Sequence, residues 1–289
     1  MNVDVNITAA DQTVRRAAVL GSPIEHSLSP VLHGVAYQAL GLHGWHYDKI
    51  ECDEPGLPRL VDSMGAEWAG LSLTMPLKRV ALTVADEVSP LAQAVGAANT
   101  LVFPAAGPAG GRQAHNTDVA GMVSALREAG LTRVEQAVIL GAGGTAQSAL
   151  AAVRELGHQS PVVLVRNLSR TGELRETAER LGMRPAISCG LFTEQLPAAD
   201  LVISTLPGNA ADQLSATSWK PDTMVLDVVY APWPTPFAGA ALAAGCPVVS
   251  GLTVLLYQAV AQVELMTGNP GPVEAMRTAL VAAVADRQR

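Results

Sequence analysis

One stretch of this chain constrains its fold more than any other: an apolar run at residues 137–140, a glycine-rich loop, and a helix-forming run that continues to residue 156. The loop places Gly141, Gly143 and Ala146 in the spacing G-x-G-x-x-A, which is typical of a βα unit that binds a dinucleotide. The alternative interpretation is a glycine turn in an ordinary βα unit that binds no cofactor.

Each position of the motif has a physical role in binding a dinucleotide. The first glycine permits a tight turn, the second lets the backbone approach a pyrophosphate, and the small third residue lets helix and strand pack closely. Free N–H groups at the start of the helix favour phosphate. The residues predicted to contact the cofactor here are Gly141, Ala142, Gly143, Gly144, Thr145 and Ala146.

The composition of the 289 residues is that of a folded globular chain, with 49% hydrophobic and 16% charged residues. A net charge of −7 disfavours a nucleic-acid surface. Cys52, Cys189 and Cys246 lie far apart and the chain contains neither CxxC nor HExxH, so we expect no disulfide framework and no metal site. Residues 1–16 have no signal-peptide core, and prolines and glycines break the uncharged stretch 228–263. These features predict a cytoplasmic protein without a membrane span.

Alternating strand and helix patterns in the second half of the chain predict a doubly wound parallel sheet. Predicted strands cover residues 17–21, 45–50, 70–74, 99–103, 112–115, 137–140, 161–165, 201–204, 224–228 and 247–250. Predicted helices cover residues 31–40, 57–64, 119–129, 173–181, 235–244, 251–267 and 274–287, besides the helix after the glycine loop. We also predict that Ser29 caps the first helix, with Pro30 at its first position. A further helix is predicted to begin at Met75-Pro76 and to hold Lys78 in its first turn.

The end of the strand at residues 161–165 indicates which dinucleotide is bound. NAD enzymes usually carry an acidic side chain there for the ribose hydroxyls. This chain has Arg166, Asn167 and Arg170 instead, and no acid before Glu173. Guanidinium groups suit a 2′-phosphate, so the sequence favours NADP over NAD. Thr205 follows another predicted strand, at the carboxyl edge where open α/β sheets bind ligands.

Several motifs occur in one order along nearly the whole chain. They are the stretches at residues 21–30 (GSPIEHSLSP), 70–78 (GLSLTMPLK), 96–100 (GAANT), 116–118 (NTD) with Gly121, 227–230 (DVVY) with Pro232, Thr235 and Pro236, and finally Gly251 and Gln258-Ala259. In number, order and spacing around the dinucleotide loop, they resemble the shikimate dehydrogenases.

The resemblance implies an α/β fold of two domains. Residues 1–117 with 251–289 would form a mixed-sheet substrate domain, and residues 118–250 a Rossmann-like, doubly wound parallel-sheet NADP domain. It implies reversible NADPH-dependent reduction of 3-dehydroshikimate to shikimate, a step in chorismate and aromatic amino acid biosynthesis. The implied partners are these small molecules, and the implied assembly is a monomer or a homodimer.

The resemblance also assigns roles to individual residues. Lys78 and Asp118 match the catalytic pair, and which of them transfers the proton stays open. The positions that match substrate contacts are Ser27, Ser29, Thr74, Asn99, Tyr230 and Gln258, and Gly251 joins the cofactor positions. Hydroxyl and amide side chains suit a ligand that has one carboxylate and three hydroxyls.

The chain departs from the family pattern at two places. Ser72 stands where the family often has Asn, and Arg166-Asn167-Leu168 stands where Asn-Arg-Thr is frequent. Three alternatives remain at this point: a quinate/shikimate dehydrogenase of broader range, a catalytically silent binding relative, and a relative acting on an amino- or deoxy-shikimate. The presence of both Lys78 and Asp118 argues against the silent relative.

Overall fold

Two six-stranded sheets organise the part of the chain that the computed structural model describes, residues 14–190, 196 and 198–287. The first sheet has the order β2-β1-β3-β5-β6-β4 and is mixed, because β5 runs antiparallel to β3 and to β6. Its strands are β1 (Arg15–Gly21), β2 (Trp45–Glu51), β3 (Trp68–Leu73), β4 (Glu87–Val88), β5 (Thr100–Val102) and β6 (Gln113–His115).

The second sheet has the order β12-β11-β10-β7-β8-β9, and all its strands are parallel. Its strands are β7 (Ala137–Leu140), β8 (Val162–Val165), β9 (Ala186–Cys189), β10 (Leu201–Ser204), β11 (Met224–Asp227) and β12 (Val248–Ser250). The strands β7, β10 and β11 are buried along their whole length, as their continuous apolar sequences predict for a sheet covered on both faces.

The helices cover both sheets and join them. They are α1 (Ser29–Ala39), α2 (Gly56–Asp62), α3 (Val80–Val84), α4 (Pro90–Val95), α5 (Asp118–Glu128), α6 (Gly144–Glu155), α7 (Gly172–Leu181), α8 (Pro236–Ala243), α9 (Gly251–Thr267) and α10 (Val273–Arg287). After the second sheet the chain returns to the first, since Leu256 and Met276 on α9 and α10 share a buried cluster with Leu32 on α1. None of the described helices is long and apolar enough to cross a membrane.

The predicted fold class, with one mixed and one doubly wound parallel sheet, is confirmed. Most elements lie within two or three residues of their predicted bounds, and β10 and α9 match theirs. Three elements were not predicted from the sequence: the two-residue β4, the six-residue α4 and the strand β9. All three are short, and β9 is half exposed at the edge of its sheet, so none carries a long apolar pattern.

Two local predictions were wrong. Ser29 is not the N-cap of α1, because Leu28 already has helical backbone angles and Ser29 donates its own N–H to Ser27 Oγ at 3.3 Å. Lys78 does not lie in a helix, because Leu77 N–H donates to Thr74 O in a tight turn and α3 begins only at Val80. Lys78 therefore lies in the turn between β3 and α3.

The helices α5 and α9 cross with their backbones in contact. A Cβ atom at Gly121 of α5 would lie 2.9 Å from Val254 O and 3.0 Å from Gln258 N, both on α9. Only glycine fits such an approach without a shift of one helix. The crossing fixes the start of α5, which carries Asp118, relative to the turn of α9 that carries Gln258.

A histidine buried in the core beside the first sheet predicts a loss of stability in acid. His33 on α1 is fully buried, and its ring stacks on Tyr47 with centroids 4.0 Å apart. Burial lowers the pKa of His33 from 6.5 to about 3, because the charged imidazolium is poorly solvated there. Between these pH values the unfolded chain binds a proton that the folded chain does not, so the free energy of unfolding falls as the pH falls.

We expect that free energy to drop by up to about 1.4 kcal/mol per pH unit below pH 6.5 because of His33 alone. Urea unfolding of the parent chain and of His33→Gln at several pH values measures the difference. The variant should show the shallower pH dependence, by about one proton. Parallel curves for the two proteins would show that His33 does not titrate in this way.

Candidate active site

A cavity of about 410 Å³ lies between the two sheets and is lined by all eight residues that the sequence assigned to catalysis and substrate. Six different parts of the chain bring these side chains together, since Ser27 and Ser29 come from the β1–α1 segment whereas Tyr230 follows β11. The eight residues are Ser27, Ser29, Thr74, Lys78, Asn99, Asp118, Tyr230 and Gln258. Thr145 and Gly251, two of the predicted cofactor residues, line the same cavity.

Lys78 and Asp118 form an ion pair in this cavity, with Lys78 Nζ 2.6 Å from Asp118 Oδ2. Their side chains keep 26% and 15% of their surface exposed, so a ligand in the cavity can reach both. Asp118 is the first residue of α5, where the helix dipole favours a carboxylate. An ammonium group has three N–H donors, and one bond to Asp118 leaves two for a ligand.

Asn99 holds the other oxygen of the Asp118 carboxylate. Its Nδ2 donates to Asp118 Oδ1 at 2.9 Å and lies 3.3 Å from Gln258 Oε1. Its Oδ1 accepts the Thr117 backbone N–H at 2.8 Å and the Thr100 hydroxyl at 3.0 Å. The Asn99 amide therefore connects the end of β6, the start of α5 and α9, and it fixes the orientation of Asp118.

The remaining predicted substrate residues differ in whether their polar side-chain atoms already form hydrogen bonds within the protein. Ser27 Oγ accepts the Ser29 N–H, and Gln258 Nε2 donates to Leu255 O at 2.9 Å. The hydroxyls of Thr74 and Tyr230 have no hydrogen-bond partner within the described ranges. These two hydroxyl groups are available to a polar ligand.

A buried carboxylate orders the loop that carries Tyr230. Asp227, at the end of β11, accepts the Thr235 hydroxyl at 2.7 Å and the Val229 N–H at 3.2 Å. Burial raises the pKa of Asp227 above its usual value, and the bond from Thr235 opposes that shift. These contacts close the loop 228–235 and hold Tyr230 at the cavity.

The glycine loop has the geometry that phosphate binding requires. Gly141 has a φ of +111°, and a Cβ atom there would lie 2.5 Å from the hydroxyl oxygen of Thr205, which itself donates to Leu140 O at 2.7 Å. Gly143 caps α6 without a side-chain bond, and Cβ positions at Gly143 and Gly144 face open space. Ala146 is fully buried against the strand. The first N–H groups of α6 therefore open onto the cavity side and can receive an anion.

The segment after β8 presents two guanidinium groups to solvent. Arg166 and Arg170 are exposed, and neither side chain has a hydrogen bond or ion pair in the described part of the chain. Between them, Asn167 Oδ1 accepts the N–H and the hydroxyl of Ser169 at 2.9 and 2.8 Å, which closes a short 3₁₀ turn. Asn167 thus shapes the segment, while the two arginines are free to meet a phosphate.

Gly251 marks the point where α9 starts against the end of β11. A Cβ atom there would collide with the carbonyl of Val228. The glycine lets α9 begin beside the Tyr230 loop, and α9 then carries Gln258 into the cavity. Gly251, predicted as a cofactor contact, lines the same cavity as Thr145.

Three polar residues of the cavity wall, His26, Ser72 and Gln262, were not predicted as site residues. Gln262 lies four residues after Gln258, on the same face of α9, so helical spacing could have found it. Ser72 and Thr74 are two residues apart along the direction of β3, so their side chains lie on the same face. In the described ranges no group of three or more His, Cys, Asp or Glu side chains could hold a metal ion.

Comparison with known proteins gives consistent results over most of the chain. The family model for the shikimate dehydrogenase substrate-binding domain matches residues 19–101, and that for the shikimate 5′-dehydrogenase C-terminal domain matches residues 251–281. The NADP(+) shikimate dehydrogenase of Desulfitobacterium hafniense is 36% identical, covering 94% of this chain and 99% of that protein.

Solved structures agree. The shikimate dehydrogenase of Mycobacterium tuberculosis is 44% identical with a TM-score of 0.84, covering 93% of this chain and 99% of the other. The shikimate 5-dehydrogenase of Thermus thermophilus, solved in complex with NADP(H) and shikimate, is 31% identical with a TM-score of 0.80, covering 93% and 100%. Because of these similarities in sequence and fold, this chain belongs to the shikimate dehydrogenase family.

Proposed function

We propose that this chain is an NADP-dependent shikimate dehydrogenase that reversibly reduces 3-dehydroshikimate to shikimate in aromatic amino acid biosynthesis. The observation that carries the proposal is the Lys78–Asp118 ion pair, which faces a cavity that holds several hydroxyl and amide side chains and also reaches the first turn of the dinucleotide helix at Thr145. A proton-transferring pair beside a nicotinamide site is the arrangement that reduction of a ketone needs.

The cavity suits the substrate in size and chemistry. Shikimate offers one carboxylate and three hydroxyls, and a cavity of about 410 Å³ is large enough for such a ring. The hydroxyls of Thr74 and Tyr230 are unpaired in the described structure, and the serines 27 and 29 lie at the start of α1. We assign these serines, Thr74 and Tyr230 to substrate contacts, together with Asn99 and Gln258.

Lys78 and Asp118 have different roles in the proposed reaction. NADPH, when bound, supplies the hydride to the ketone carbon. The carbonyl oxygen then gains negative charge, and Lys78 Nζ offers it a positive charge and free N–H donors. Asp118 holds Nζ at 2.6 Å and can accept a bond from a neighbouring substrate hydroxyl. Lys78 is therefore the group that we expect at the reacting oxygen.

The residues around the glycine loop fit NADP. The open N-terminus of α6 suits the pyrophosphate, and Gly141 lets the loop turn under Thr205. Arg166 and Arg170 would flank the 2′-phosphate, whereas NAD enzymes usually have an acidic side chain at this place to bind the ribose hydroxyls. We assign the cofactor contacts to residues 141–146, Arg166, Asn167, Arg170, Thr205 and Gly251.

The domain bounds of the proposal are residues 1–117 with 251–289 for the substrate domain and 118–250 for the NADP domain. The strands of the first sheet lie within residues 15–115 and those of the second within 137–250. Val119 and Met122 of α5 share a buried cluster with Ala146 and Leu150 of α6, which supports a boundary just before Asp118.

The test is an assay of the purified chain with shikimate and NADP⁺, following the absorbance of reduced nicotinamide and identifying the product. We expect turnover with formation of 3-dehydroshikimate, and a turnover about a thousandfold lower in a Lys78→Ala preparation purified in the same way. Absence of turnover from folded parent protein would refute the proposed function.

A further inference from the structure

A run of buried and partly buried hydrogen bonds leads from the first sheet through Ser72 and Gln262, two residues of the cavity wall, to the Lys78–Asp118 pair. The Tyr47 hydroxyl on β2 donates to Ser72 Oγ on β3 at 2.6 Å, and Ser72 Oγ donates to Gln262 Oε1 on α9 at 2.8 Å. The run therefore begins with a contact between two strands of the first sheet and passes from there to α9.

The run continues from Gln262 to the catalytic pair. Gln262 Nε2 donates to Thr100 Oγ1 at 3.0 Å and to the Asn99 carbonyl at 3.2 Å. The Thr100 hydroxyl donates to Asn99 Oδ1, and Asn99 Nδ2 donates to Asp118 Oδ1 at 2.9 Å. From Tyr47 onward, every donor points toward the Asp118 carboxylate, which on its other side holds Lys78.

Gln262 is the branching point of this run, and its orientation is fixed. The Asn99 carbonyl can only accept, so Gln262 must present its NH₂ group to it and its oxygen to Ser72. The imidazole of His33 lies 3.3 Å from the same oxygen. Gln262 is 1% exposed, so an unmade bond there would not be replaced by water.

We propose that Gln262 is a positioning residue for the reaction: held by Tyr47 and Ser72, its amide sets Asn99 through Thr100 and so holds the Lys78–Asp118 pair in its reactive geometry. This inference rests on the proposed function, since it assigns a role in that reaction. Gln262 lines the cavity wall but acts on the chemistry through Asn99. Misplacement of a catalytic group by about 1 Å can cost a hundredfold in rate.

The first test is Gln262→Leu, which keeps the approximate size of the side chain and removes its amide. We expect kcat for shikimate oxidation to fall about 10- to 100-fold and the pH profile of kcat to shift, because Asp118 and Lys78 lose their fixed orientation. The KM for NADP⁺ should stay within about twofold, since the amide does not reach the cofactor loop.

A matched pair at Thr100 separates positioning from packing. Thr100→Val has the same shape but no hydroxyl, and Thr100→Ser keeps the hydroxyl but loses the methyl group. If the hydrogen bond matters, Thr100→Val loses kcat about as Gln262→Leu does, whereas Thr100→Ser stays within about threefold of the parent. If Thr100 acted only through packing, Thr100→Ser would lose more kcat than Thr100→Val.

Tyr37→Phe is the control for the loss of a buried hydroxyl in the same region. The Tyr37 hydroxyl is buried and has no hydrogen-bond partner in the described part of the chain, and its ring neighbours both His33 and Tyr47. This variant should retain the kcat and pH profile of the parent. A loss in Tyr37→Phe equal to that in Gln262→Leu would overturn the inference.

The inference is also overturned if folded Gln262→Leu or folded Thr100→Val keeps the parent kcat and pH profile. The Thr100 pair tests it even if Gln262→Leu does not fold. Inactivity of the parent chain on shikimate would instead refute the proposed function, and the inference with it. The activity of the parent chain on shikimate therefore distinguishes a failure of the proposed function from a failure of the role proposed for Gln262.

Discussion

Replacement of Lys78 by alanine lowers kcat for shikimate oxidation about a thousandfold and changes the KM for shikimate only a few-fold. The reason is that Nζ acts on the oxygen at which charge changes during hydride transfer, whereas several hydroxyl and amide groups share the binding of the ground state. Steady-state kinetics with shikimate and NADP⁺ measures both constants. In the structure Lys78 Nζ lies 2.6 Å from Asp118 Oδ2, so the substitution also removes the ion-pair partner of the Asp118 carboxylate.

Lys220→Ala is the matched control, because Lys220 is an exposed lysine outside the cavity lining. It should have the kinetics of the parent. A Lys78→Ala protein that retains the parent kcat would exclude Lys78 from the chemical step.

Replacement of both Arg166 and Arg170 by alanine raises the KM for NADP⁺ about 10- to 100-fold and leaves the KM for NAD⁺ nearly unchanged. One charge-assisted hydrogen bond to a phosphate is worth about 1.5–3 kcal/mol, and screening by solvent keeps the joint contribution of two exposed arginines near that of one such bond. Only NADP⁺ carries the 2′-phosphate. The two guanidinium groups are exposed and unpaired among the described residues, so their loss removes no contact that the fold needs.

Arg184→Ala serves as a control for charge, since Arg184 is an exposed arginine of the same sheet region. Its KM for NADP⁺ should match that of the parent. If the double variant raised the KM for NADP⁺ and the KM for NAD⁺ by the same factor, the two arginines would not distinguish the cofactors. The preference for NADP would then have to come from other residues.

Much of the fold was predictable because its elements carry strong local patterns. The buried strands β7, β10 and β11 are short apolar runs, and α9 extends between two glycines, Gly251 and Gly268. Lys78 was misplaced because Met75-Pro76 looks like a helix start, whereas the backbone forms a turn after Thr74. Local propensity did not distinguish these two conformations.

The candidate site was predictable to a different degree. Lys78 and Asp118 are 40 positions apart, and their distance in space depends on how β3 and α5 meet at the domain boundary. The resemblance to a family supplied that pairing, which spacing alone could not give. Helical spacing from Gln258 could have placed Gln262 at the cavity, but the role proposed for it depends on the direction of hydrogen bonds from three elements, which no sequence pattern encodes.

The measurement that tests the account most directly is kcat/KM for shikimate and for quinate, each with NADP⁺ and with NAD⁺. The unpaired arginines and the Lys78–Asp118 pair predict that shikimate with NADP⁺ exceeds every other pairing, by at least about tenfold if one phosphate contact or one hydroxyl contact decides each choice. Comparable values with quinate or with NAD⁺ would contradict this and assign the chain to the broader quinate/shikimate dehydrogenases.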